Sequence, residues 1–195
     1  MGHVHDFGAD HGETPPPDWA TEAAAATLAW VREFVVGLDL CPFAARPLER
    51  GRVSLRVSDA EHPFDLAEDL EAELQRLAEA EPERIETTLL VHPRCLEDFA
   101  DANDFLDVAE LLLDRLELTG VLQVVGFHPG YQFADAEPDA PENATNRSPW
   151  PLLHLLRSES VARAVEGLDD PDAIWRRNVE LLRARAVAGD DPTGA

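Results

Sequence analysis

Two apolar runs of the chain each stop on His-Pro. "TTLLVHP" ends at His92 and Pro93, and "LQVVGFHPGYQF" passes through His128 and Pro129. Imidazole titrates near neutrality, so histidine is the side chain best suited to general acid/base work. Proline biases the residue before it toward extended backbone, which places both histidines at the ends of strands. Strand termination alone would also account for the pattern. His154, in "TNRSPWPLLHLLR", is a third imidazole, and Arg147 and Arg157 flank it. Cys41, in "GLDLCPFAARP", is a nucleophile candidate of lower standing: no second cysteine follows at redox spacing, and the residues before it read as the negative end of a helix.

Those residues need a scaffold, and the hydrophobic periodicity supplies one. Leu28, Val31, Phe34, Val35 and Leu38 recur at helical spacing in an alanine-rich helix that Gly37 should end. Residues 52–58 alternate as a strand, 63–80 form an amphipathic helix, 87–91 a strand, 104–118 a helix and 121–127 a strand. The order β-α-β-α-β implies right-handed crossovers and parallel strands. The expected fold is therefore α/β: a single domain over residues 18–187 with a small, mainly parallel sheet of three or four strands, an N-terminal helix and a C-terminal helical segment. Ser148, Pro149 and Pro151 look like the start of a helix running through His154. Residues 1–17, with His3, His5 and His11, and residues 188–195 are expected to be flexible tails; those three histidines are expected to be solvated rather than to hold a metal.

With parallel strands, His92 and His128 share the sheet edge where α/β proteins bind ligands. Charge sharpens this placement. The chain of 195 residues has 16 basic and 39 acidic residues, a formal charge of −23, and every basic residue is arginine. Such a charge disfavours nucleic acid and anionic membrane surfaces. The absence of lysine excludes a Schiff base and the Walker lysine. Residues 143–158 carry two arginines and no carboxylate, so an anion would find its welcome there. The sequence offers no Gly-rich nucleotide-cofactor fingerprint, no paired Cys-x-x-Cys motif and no membrane span, and Cys41 and Cys95 fit no disulfide framework. With no signal-peptide pattern at its start, a cytoplasmic address is the expectation.

"GLDLCPFA", "TTLLVHP", "NDFLD", "FHPGYQF" and "TNRSPWPLLHLLR", in this order, resemble the uncharacterised bacterial family catalogued as domain of unknown function 1415. The resemblance spans roughly residues 21–187. Asp39 and Trp150 depart mildly from the asparagine and tyrosine of the family pattern. The resemblance implies no reaction. From the residues, the expectation is an enzyme for a small anionic substrate. His128 would be its acid/base group, His154 would assist, and Cys41 is a less favoured nucleophile. Arg147, Arg157, Tyr131, Asn146 and Ser148 would hold the substrate. One alternative is a divalent-metal site of His92, His128 and His154. Another is a non-catalytic binding protein with an exposed apolar patch at Phe127, Tyr131, Phe133 and Trp150.

Overall fold

A computed structural model of the chain describes residues 3–7, 15–166, 170 and 172–188; His11 lies outside them. Among the described residues, five strands form one mixed sheet in the order β1-β2-β3-β5-β4: β1 (Val4–Asp6), β2 (Val53–Ser58), β3 (Thr87–Val91), β4 (Leu122–Phe127) and β5 (Leu152–Arg157). β2 and β3 are parallel, while β1 runs antiparallel to β2. β5 lies antiparallel between β3 and β4. Hence β2, β3 and β4 point the same way, as the β-α-β-α-β reading requires, but the sheet is mixed and larger than expected.

The segment read as a proline-capped helix from Ser148 is instead β5, the strand that fills the gap between β3 and β4. Leucine-rich "LLHLLR" has no intrinsic strand preference, and burial on both faces decides the matter. Val4–Asp6, in the segment expected to be a tail, adds a strand at the β2 edge, and the Asp6 carboxylate pairs with Arg56.

Helices cover both faces. On one, α3 (Pro63–Glu79) and α4 (Phe99–Arg115) bury Leu66, Leu70, Leu74, Leu77, Phe105 and Leu112 against Leu90, Leu153 and Leu155 of the sheet. The helix expected over 104–118 begins earlier, where Asp98 caps α4 by accepting from the Ala100 and Asp101 N–H groups. Arg157 leaves β5 on this side and donates to the carbonyls of Leu77, Ala80 and Ile85, closing the C-terminal turn of α3.

On the opposite face, α1 (Asp18–Trp30) continues into a π-helical turn over Val31–Val36. The wide turn brings the Glu33 carbonyl so close that a Cβ on Gly37 would lie 2.1 Å from it, which is why glycine ends this helix. Trp30, Phe34, Leu55, Val57, Leu89, Val91 and Leu152 form this second core. The α1 packing covers the β2–β3 half. Short α2 (Ala45–Glu49), α5 (Ser158–Val165) and α6 (Asp172–Ala188) border the rest. α6 is held by Asn178, which donates to the Leu40 carbonyl at 2.7 Å, and by ion pairs of Arg177 with Asp39 and Arg183 with Glu142. No helix among the described residues is long and apolar enough to cross a membrane.

Candidate functional site

The two His-Pro strand ends lie on one sheet edge, as the sequence implies, and close enough that the His128 imidazole disfavours charge on His92. Both rings face backbone rather than open space. His92 Nδ1 donates to the Cys95 carbonyl at 2.9 Å, and His128 Nε2 donates to the Leu96 carbonyl at 3.2 Å. The Gly130 N–H donates to His128 Nδ1 at 2.9 Å, so both His128 nitrogens are engaged. Leu96 has φ of 57°, a left-handed conformation costly for a leucine, and the paired imidazoles hold the carbonyls on either side of that turn. The two histidines are 2% and 5% exposed. Burial depresses both, His92 to about 4, so each is a neutral hydrogen-bonding group at physiological pH.

The loop after β4 is braced in the same manner. Arg147 donates to the carbonyls of Tyr131 (3.0 Å) and Pro138 (2.7 Å), and buried Asn143 bonds Phe133 and Glu137. Ser148 donates to the Trp150 carbonyl, and Tyr131 stacks edge-on between Phe99 and Phe133. Phe127, Tyr131, Phe133 and Trp150 are all partly buried, so they do not form the exposed patch that the binding-protein alternative anticipates. Arg157 lies on the opposite face, at the far end of β5 from the His-Pro edge. Among the described residues no group of three or more His, Cys, Asp or Glu side chains is placed to hold a metal. The three-histidine centre is therefore not assembled: His154 lies inside the sheet, away from the edge where His92 and His128 bind backbone.

His154 has a different setting. It sits in the middle of β5, paired with Leu89 and Val125, and points to the α1 side. There a cavity of about 510 Å³ opens between the β4–β5 half of the sheet and helices α1, α5 and α6. Apolar side chains dominate its wall, among them Trp30, Val35, Leu89, Val125, Phe127 and Leu156. Polar groups are few: His154, Thr87, Cys41, Thr145, Asn146, Ser160 and Asn178, with Arg46, Arg163 and Glu86 as the charged members. Glu86 is paired with Arg52 and Arg163 with Glu159, whereas Arg46 makes no ion pair among the described residues. The size and the mixture of apolar wall with a few polar groups are those of a small-molecule site.

Burial pushes the His154 pKa down to about 4. Burial likewise raises the Cys41 thiol, and the backbone N–H groups of Phe43 and Ala44 only partly offset it, so the thiol stays protonated at neutral pH. Cys95 is 3% exposed and also raised by burial, which suits a packing role. Of the sequence-derived candidates, the cavity brings together His154, Cys41 and Asn146. It leaves His92, His128, Arg147, Arg157, Tyr131 and Ser148 outside its wall. Thr87 and Arg46 escaped sequence reasoning. Thr87 reads as a strand residue like any other, and Arg46 lay in the "CPFAARP" string whose cysteine drew attention.

The fold and cavity thus define a mixed α/β protein with a mainly apolar chamber on one face of its sheet. The family model described as "Protein of unknown function (DUF1415)" matches residues 22–190, and the chain belongs to that family. No curated protein and no solved structure matches it.

Proposed function

We propose that the cavity binds a small, largely apolar molecule with an anionic group, and that His154 is its acid/base or hydrogen-bonding residue. Arg46, which makes no ion pair among the described residues of a chain of charge −23, would hold the anion at the cavity wall. The observation that carries this reading is the setting of His154: a central-strand imidazole, held by Thr87 on one nitrogen and lining a 510 Å³ chamber. A histidine there takes a place that an apolar side chain would fill at a lower desolvation cost. His128 becomes a positioning residue of the sheet edge in this account.

Cys41 shares the chamber, but its protonated thiol suits contact with a ligand better than attack on it. A non-catalytic carrier of the same ligand is the second reading, favoured by the apolar wall. Titration with 8-anilinonaphthalene-1-sulfonate, an apolar ring system bearing one sulfonate, tests the shared premise. One dye per folded chain is expected, weakened about tenfold by Arg46→Gln, a difference of about 1.4 kcal/mol. Dye affinity indifferent to Arg46 would remove the anion from the proposal. A reaction abolished by His154→Gln while dye binding persists would favour catalysis over carriage.

A further inference from the structure

The bonds around Thr87 fix where the His154 proton resides, and with it the kind of ligand the chamber accepts; this inference rests on the cavity reading above. Thr87 Oγ1 lies 2.8 Å from His154 Nε2 and 2.7 Å from the Leu155 carbonyl oxygen. A hydroxyl has one proton to give, and a carbonyl can only accept. The proton therefore goes to Leu155, since the opposite assignment would set two oxygens 2.7 Å apart with no hydrogen between them. Thr87 must then accept from the imidazole, which puts the His154 proton on Nε2 and a bare lone pair on Nδ1.

Nδ1 has no hydrogen-bond partner among the described residues, and the ring that carries it lines the chamber. On a strand flanked on both sides, the open space beside it is the chamber that His154 lines. Thr87 is buried at the start of β3 and its hydroxyl is tied to the neighbouring strand, so the ring is held against flipping. We infer that Thr87 is a positioning residue that locks His154 as a hydrogen-bond acceptor, making the chamber selective for ligands that present a neutral O–H or N–H donor to Nδ1. An ether, carbonyl or carboxylate oxygen at the same place would face lone pair with lone pair. Any anionic group of the ligand must then lie away from His154 Nδ1, toward a cation of the wall such as Arg46.

The test uses the full chain labelled with ¹⁵N and long-range proton–nitrogen correlation spectra of the ligand-free protein. His154 should show a protonated Nε2 and an unprotonated Nδ1. Thr87→Val should mix the tautomers, and Thr87→Ser, which keeps the hydroxyl, should restore the single form. Phenol and its methyl ether anisole then serve as probes with and without the donor. Phenol should displace the sulfonate dye at least about tenfold more effectively than anisole and move the Nδ1 resonance, a gap of about 1.4 kcal/mol. In Thr87→Val the preference should shrink to within about threefold, near 0.7 kcal/mol. A protonated Nδ1 in the wild type overturns the inference even if Thr87→Val fails to fold. Equal displacement by the two probes refutes donor selectivity while leaving the chamber a binding site, and displacement by neither refutes both.

Discussion

His92 should make stability fall on acidification by an amount the structure allows to be worked out. The folded-state pKa is about 4, below the ordinary 6.5, because the ring is buried. The unfolded chain then takes up a proton over the pH range in which the folded protein does not. Stability is lost as pH falls from about 6.5 to about 4 and changes little below that. For an unfolded value of 6.5 and a folded value of about 4, the loss between about pH 7.5 and about pH 4.5 comes to about 2.5 kcal/mol. The many carboxylates titrate over the same range, so the informative quantity is a comparison with His92→Gln. Glutamine can still donate to the Cys95 carbonyl but does not ionise. Urea unfolding across this pH range should show the variant less stable at the upper end, by about 1–2 kcal/mol for an imperfect buried hydrogen bond. Wild type should then lose about 2.5 kcal/mol more than the variant on acidification. Parallel pH profiles for the two proteins would refute the buried, neutral imidazole at the sheet edge.

Two further perturbations separate scaffold from site. Arg157→Met leaves three carbonyls, two at the end of α3 and one in the loop before β3, without their shared donor and should cost about 2–4 kcal/mol in chemical denaturation, with dye affinity unchanged. Arg157→Lys should recover only part of this, since an ammonium lacks the guanidinium fork; full recovery would show that charge alone matters. Cys41 should alkylate slowly with iodoacetamide at neutral pH, speed up only above about pH 9, and be protected by bound dye, because burial raises its thiol pKa. Rapid alkylation near pH 7 would mean a thiolate and reopen its candidacy as a nucleophile.

The parts of the fold that were legible in the sequence are those whose local signals agree with their tertiary setting. Periodicity located α1, α3 and the strands β2, β3 and β4, and the common direction of those three strands followed from their crossovers. β5 was not legible, because "LLHLLR" shows its apolar residues at helical spacing and follows prolines that suit a helix start. Its strand form is imposed by the slot between β3 and β4, a non-local fact. The site failed in a related way. The His-Pro pattern put His92 and His128 at strand ends on one sheet edge, but the sequence could not reveal that Cys95 and Leu96 turn their carbonyls toward the two rings. Arg147 and Arg157 stood out for lacking nearby carboxylates, yet both satisfy backbone carbonyls, partners that no charge count detects. Treating β5 as a helix also hid that His154 faces one side of a sheet with an open chamber beside it.

The central claim is that the ligand site is this chamber and not the His-Pro edge, and filling it is the most direct measurement. Ala164, on α5, lines the chamber and is partly buried, so Ala164→Trp puts an indole into the space or against its mouth. Titration of this variant with the sulfonate dye, alongside circular dichroism to verify the fold, should show affinity reduced at least about tenfold, or about 1.4 kcal/mol. A folded variant that binds dye as the wild type does would place the site elsewhere and contradict the account.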